Sequence, residues 1–281
     1  MPELIRSGSC TLEIWPGRKA GALLFYPGTM LAPGHYQVLL SAFYRAGFTV
    51  AGIHLPGHGE RRSERNFTFR TLLLAGLEAE ALLRRLGYRQ IAIAGHSQGG
   101  ILGLAHAAAS TGIQGAFLIS AAYPDMREAI RLTRFAPLEK WRDRIMGGLR
   151  VLAKTVPWLP LPLPFYLRLR KIVAGKKHPA YMGAGKGRLA YPLRFLVSLF
   201  GAVIPRRIYC PLLLFNARND ALFTPDLIEA TFAQIEAPDK ELCWLPTGGH
   251  IAPLNPALAD YIARKTAEKC ASLGFHLEFG S

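Results

Sequence analysis

The pentapeptide Gly95-His96-Ser97-Gln98-Gly99 places a serine between two glycines, one two residues to either side. It follows the apolar run Ile91-Ala92-Ile93-Ala94 and precedes a small, apolar stretch from Gly100 to Ser110. That setting predicts a buried strand, a sharp turn and a helix, with the serine hydroxyl pushed out at the turn. Side chains in place of Gly95 and Gly99 would collide with the adjoining strand and helix. A helix starting at the turn aims its free N–H groups and positive dipole end at developing negative charge. The chemistry this suits is nucleophilic attack by Ser97.

A serine hydroxyl is a weak nucleophile and needs a base, and the base needs an acid to orient it. For this kind of turn the expected chain order is serine, acid, histidine. His250 stands in Pro246-Thr247-Gly248-Gly249-His250, on a glycine-rich loop after the last predicted strand. The other seven histidines (His35, His54, His58, His96, His106, His178 and His276) lack that combination. His96 is expected to face away from the site, and His106 to fall on the following helix. Asp220, just beyond the run Leu212–Phe215, is the candidate acid, with Asp125 as its competitor. Asp226 after Pro225 suits a helix cap, and Asp239 a turn.

A tetrahedral intermediate needs two N–H donors. One is expected from the backbone of Gln98. The other is expected from Pro27-Gly28-Thr29-Met30, with Thr29 as the donor and Met30 as the alternative. The loop His54-Leu55-Pro56-Gly57-His58-Gly59 is assigned shape rather than chemistry. His54 and His58 have i, i+4 spacing, but Glu60 is the one acidic neighbour to serve as a third ligand. No metal and no cofactor are therefore expected. Arg61, Arg62 and Arg65 would add positive charge near the mouth of the site.

These residues must be positioned by alternating elements. Strands are predicted at Thr11–Trp15, Ala22–Tyr26, Thr49–His54, Ile91–Ala94, Ala116–Ser120, Leu212–Phe215 and Glu241–Leu245. Helices are predicted at Gln37–Ala46, Thr68–Leu86, Gly100–Ala109, Pro225–Gln234 and Pro256–Lys269. Strands separated by helices imply a parallel sheet covered on both faces. The stretch from Ala121 to about Tyr209 interrupts the alternation and is too long for a loop without structure of its own. It is expected to be mostly helical, over the C-terminal edge of the sheet.

The 281 residues are 50% hydrophobic and 19% charged, a globular composition. No apolar run reaches membrane-spanning length, and no secretory signal is expected. Cys10, Cys210, Cys243 and Cys270 lack paired spacing and are expected as buried thiols in a reducing, cytoplasmic setting. The net charge is +15, and thirteen Lys or Arg with no Asp or Glu fall between Arg144 and Arg207. Aromatics share that stretch, so an anionic amphiphile or the surface of an anionic membrane is an expected partner. Trp158, Phe165 and Tyr166 are candidate substrate contacts. No nucleic-acid motif accompanies the charge, so nucleic acid is not the expected partner.

Taken together, these motifs resemble the α/β-hydrolase superfamily from about Ala22 to Lys269. The turn departs from the family's common His-Gly by placing Pro27 before Gly28. Ser97 separates the chain from haloalkane dehalogenases and epoxide hydrolases, which use Asp there. The Gly-His-Ser-Gln-Gly-Gly run and the place of the insertion resemble lysophospholipase and monoacylglycerol-lipase-type serine hydrolases. The resemblance implies an α/β-hydrolase fold, a mostly parallel central sheet flanked by helices. Its core would comprise 1–120 and 210–281, and 121–209 would form a mostly helical cap. It also implies a serine hydrolase that cleaves a carboxylic, lipid-like ester through an acyl-enzyme. Thioesterase or acyltransferase chemistry on the same triad, or a weakly active ligand-binding homologue, are the alternatives.

Overall fold

The computed structural model describes residues 2–8, 10–15, 21–61, 63–167 and 189–278. Strands β1 (Glu3–Ser7), β2 (Cys10–Ile14), β3 (Ala22–Tyr26), β4 (Thr49–Ile53), β5 (Ile91–His96) and β6 (Ala116–Ile119) come first along the chain. The short pair β7 (Pro160–Pro162) and β8 (Ala190–Pro192) follows, then β9 (Leu212–Ala217) and β10 (Lys240–Leu245). Eight of them form one sheet in the order β1-β2-β4-β3-β5-β6-β9-β10. From β4 to β10 the pairing is parallel, and β1 and β2 join antiparallel at one edge.

Every residue of β3, β4, β5, β6 and β9 is buried. Helices cover both faces of such strands, so their sequences read as continuous apolar runs. Alternate side chains still serve different layers. Leu23 and Phe25 pack with helix α1 (Gln37–Arg45) and with the C-terminal helix Pro256–Ser272. Leu24 and Tyr26 pack with α2 (Phe69–Arg85) and α3 (Gln98–Ala109) on the opposite face. The mostly parallel sheet flanked by helices that the sequence implies is therefore present.

Between β6 and β9 the chain carries 3-10 turns at Arg127–Leu132 and Ala136–Trp141, then α4 (Arg142–Thr155) and α5 (Leu163–Tyr166). After β8 comes α6 (Leu193–Phe200); α7 (Pro225–Gln234) and α8 (Pro256–Ser272) complete the fold beyond β9. The stretch expected to be mostly helical thus also contains an antiparallel strand pair, with Pro160 opposite Pro192. Prolines lack the N–H that a helix interior requires, but an edge pairing of three residues tolerates them.

No described helix is long and apolar enough to cross a membrane. All four cysteines are buried with free thiols. Burial pushes the thiols of Cys10, Cys210 and Cys243 up to about 12, so they stay protonated and unreactive near neutral pH.

Candidate active site

The parallel strands deliver four loops to one edge of the sheet. They are the turn after β3, the turn after β5, the loop after β9 and the loop after β10. Ser97 sits at the second of these, with φ 58° and ψ −120°, directly before α3. Its N–H donates to the Ile119 carbonyl at 2.9 Å, which pins the turn to β6. A Cβ on Gly95 would lie 2.3 Å from Gly99 O, and one on Gly99 would lie 2.1 Å from Tyr26 O. Both contacts are with backbone, so glycine is required on either side of the serine. A non-glycine residue at positive φ stores strain, which is tolerated where the surroundings over-determine the geometry.

Ser97 Oγ lies 3.0 Å from His250 Nε2, and His250 Nδ1 lies 2.9 Å from Asp220 Oδ2. All three side chains are buried. Gly248 and Gly249, at φ 101° and 58°, bend the loop that carries His250. Phe223 stacks on the imidazole with an interplanar angle of 5°. Asp220 Oδ1 accepts N–H bonds from Leu222 at 2.8 Å and Phe223 at 2.9 Å, and Ser120 Oγ donates to Oδ2 at 3.0 Å. Burial pushes the Asp220 carboxyl up, but the His250 imidazole and the two backbone donors outweigh it. The group is held below the ordinary carboxylate range, and so stays ionised.

Asp125, the competing acid, is held by Arg206 through contacts of 3.0 and 2.9 Å and does not reach His250. Asp226 falls in the first turn of α7, and Asp239 pairs with Lys269. His96 does turn from Ser97, but it is not idle. Its Nε2 lies 2.8 Å from the carbonyl of His250, and its Nδ1 lies 2.7 Å from Tyr36 Oη. A carbonyl only accepts, so Nε2 carries the proton and Nδ1 is the bare acceptor. Burial, then the neighbouring His250, lowers His96 to about 3 and keeps it neutral. His106 is buried between Tyr26 and Glu80 beneath the sheet. His178 and Arg62 lie outside the described residues.

The loop assigned shape brings His58 against the side chain of Gln98. His58 is buried, with Nε2 2.7 Å from the side-chain Nε2 of Gln98 and 2.6 Å from Tyr191 Oη. His54 instead faces Glu13 at 3.3 Å. Among the described residues, no three His, Cys, Asp or Glu side chains gather as a metal set. Arg61 binds Glu64 and the His54 carbonyl, and Arg65 donates to the Ala190 carbonyl. Both arginines brace loops rather than standing free at the mouth.

A cavity of about 50 Å³ opens on Ser97 and His250, walled by Thr29, Gln98, Leu222 and Phe223 on the sheet side. Tyr166, Tyr191, Leu196 and Phe200 close it from the stretch between β6 and β9. A second, apolar cavity of about 310 Å³ lies behind that wall, with Tyr166, Leu196 and Phe200 bordering both. The Tyr166 hydroxyl is buried and has no hydrogen-bond partner among the described residues. Phe165 lines only the second cavity, and Trp158 lines neither and is exposed. A wider groove of about 700 Å³ runs between α1 and α8, but none of the residues above borders it.

Residues 23–261 match the alpha/beta hydrolase family. The chain belongs to that family. No curated protein sequence matches it. Among solved structures, this alpha/beta hydrolase is similar to a Paleococcus ferrophilus monoacylglycerol lipase, with 18% identity and a TM-score of 0.73 over 96% of this chain and 99% of that one. A soluble variant of monoglyceride lipase from Saccharomyces cerevisiae, in complex with a substrate analog, gives 16% identity and a TM-score of 0.73. That match covers 97% of this chain and 96% of that one. Est1E from Butyrivibrio proteoclasticus, with ferulic acid bound, gives 15% and 0.64 over 96% of this hydrolase and 99% of Est1E. At such identities the likeness is one of fold.

Proposed function

We propose that this alpha/beta hydrolase cleaves carboxylic esters of apolar acyl groups through an acyl-enzyme on Ser97. The observation that carries the reading is the unbroken line Ser97 Oγ–His250 Nε2 and His250 Nδ1–Asp220 Oδ2, opening on a cavity. His250 takes the Ser97 proton as the oxygen attacks the ester carbonyl. Asp220 keeps the imidazole proton on Nδ1, so that Nε2 is free to act as base. The backbone N–H groups of Gln98 and Thr29 receive the oxyanion. Collapse expels the alcohol, which takes the proton from His250, and water then repeats the sequence to release the acid. The similar structures named as monoacylglycerol and monoglyceride lipases support a lipid-like ester. In this reading 121–209 is the cap, and Tyr166 and Phe165 meet the acyl chain.

The test is a fluorophosphonate, which phosphonylates an activated serine. Mass spectrometry is expected to locate the adduct on the peptide carrying Ser97. Folded protein that takes up no label at Ser97 overturns the reading.

A second reading concerns the outer surface of the same segment. Val151, Leu152 and Trp158 are exposed beside the exposed Arg150 and Lys154. Aromatic and aliphatic groups beside cations suit the interface of an anionic bilayer. At low salt the protein is expected to sediment with phosphatidylglycerol vesicles and to remain in solution with phosphatidylcholine. Equal recovery on both lipids removes the electrostatic part of this reading.

A further inference from the structure

The turn Pro27-Gly28-Thr29-Met30 is gripped at both ends by tyrosine hydroxyls. From the sheet side, Gly28 N–H donates to Tyr36 Oη at 3.0 Å, and that hydroxyl lies 2.7 Å from His96 Nδ1. From the stretch between β6 and β9, Tyr191 Oη accepts the Met30 N–H at 2.8 Å. Thr29 stands between the two gripped amides and borders the cavity with Ser97.

Hydrogen counting orders the second grip. His58 Nδ1 lies 2.8 Å from the Pro56 carbonyl, an acceptor only, so Nδ1 carries the proton and Nε2 is bare. Gln98 Nε2 donates to that bare nitrogen at 2.7 Å. With the one lone pair of that nitrogen taken, the Tyr191 hydroxyl, 2.6 Å from His58 Nε2, gives its single proton to Gln98 Oε1 at 3.0 Å. Burial lowers His58 to about 4, so the arrangement persists at neutral pH. The Tyr191 ring is wedged against Phe67, Phe195 and His58, with centroids 5.9, 4.5 and 5.3 Å away.

Tyr191 therefore touches both halves of the oxyanion site at once. It holds Met30, next to the Thr29 donor, and the side chain of Gln98, whose own N–H is the other donor. We propose that Tyr191 is a positioning residue through which the 121–209 segment sets the oxyanion hole. Its hydroxyl fixes the spacing between the β3 turn and the start of α3, so that the Thr29 and Gln98 N–H groups converge. Moving the segment away would loosen the hole without moving Ser97, His250 or Asp220. The inference rests on the ester-hydrolase reading above.

Tyr191→Phe keeps the ring and removes the hydroxyl. A hole that has lost its spacing binds the tetrahedral state less well but the planar ester as before. On p-nitrophenyl butyrate, kcat is expected to fall about tenfold to a hundredfold with KM changed less than about threefold. Inhibition by an alkyl trifluoromethyl ketone, which forms a charged tetrahedral adduct, is expected to weaken by the same factor as kcat/KM. Inhibition by the matching unfluorinated amide, a planar mimic, is expected to hold. An unchanged kcat, or an equal loss for both inhibitors, overturns the proposal. Should Tyr191→Phe fail to fold, Gln98→Met removes the other end of the contact: the same split supports the proposal, and unaltered kcat sinks it. Wild-type protein that neither turns over the ester nor accepts a phosphonate on Ser97 fails the hydrolase reading and takes this inference with it. Active wild type with an equally active Tyr191→Phe fails this inference alone.

Discussion

Ser97→Ala is expected to leave about one millionth of the wild-type kcat on p-nitrophenyl esters, with the fold intact. Without the oxygen no acyl-enzyme forms, and His250 has no proton to remove. The residual rate is what the oxyanion donors and the binding cavity supply to direct attack by water. Stability should barely change. The side chain's hydrogen bond in the structure is the one to His250 Nε2, a contribution of about 1 kcal/mol. Alanine also meets the positive φ at this position with the same Cβ as serine, so no new backbone strain arises. Ester assays beside thermal melts check both halves. A variant that keeps more than about a hundredth of the rate would show that the nucleophile lies elsewhere. A wild type with no rate to lose would favour the ligand-binding alternative.

What was legible in the sequence follows from how far each contact reaches. The glycines around Ser97 report two close approaches of backbone: Gly95 to Gly99 within the turn, which leaves a spacing in the chain, and Gly99 to Tyr26 on the neighbouring strand β3. Strands buried on both faces leave uninterrupted apolar runs, so β3, β5 and β9 stand out. By contrast β1 is mostly exposed and carries no such run, and its pairing with β2 became visible only in the structure. Asp220 and His250 could be put forward because parallel strands end at one edge, which turns chain order into proximity. Tyr191 and His58 had no such signal. His58 lies on the loop after β4 and Tyr191 in β8, 133 residues further on, and the one spacing that marked His58, i, i+4 with His54, says nothing of Tyr191. Trp158 had the right chemistry for a substrate contact but points to solvent, because residue type alone does not say which side of a segment faces the cavity.

Asp220→Asn is expected to lower kcat about ten-thousandfold, although the new side chain has the same shape. The reason lies in how the amide must sit. Asp220 Oδ1 accepts two backbone N–H groups, from Leu222 and Phe223, and an NH2 in that place would face two donors. The asparagine oxygen therefore stays there, and its NH2 points to His250 Nδ1. A donor at Nδ1 requires a bare nitrogen, which moves the imidazole proton to Nε2, against Ser97 Oγ. In that tautomer His250 cannot take the serine proton, and the charge that stabilised the imidazolium is gone as well. Ser120 can turn its one proton to Asn216 Oδ1, 2.8 Å away, and accept from the new NH2, so the neighbourhood has no reason to collapse. Phosphonate labelling of Ser97 should slow in step with kcat, while melting shows a folded protein. An Asp220→Asn variant within about tenfold of wild type would mean that His250 holds its working tautomer without this carboxylate. Asp125 could not substitute for it, since Arg206 already engages both of its oxygens.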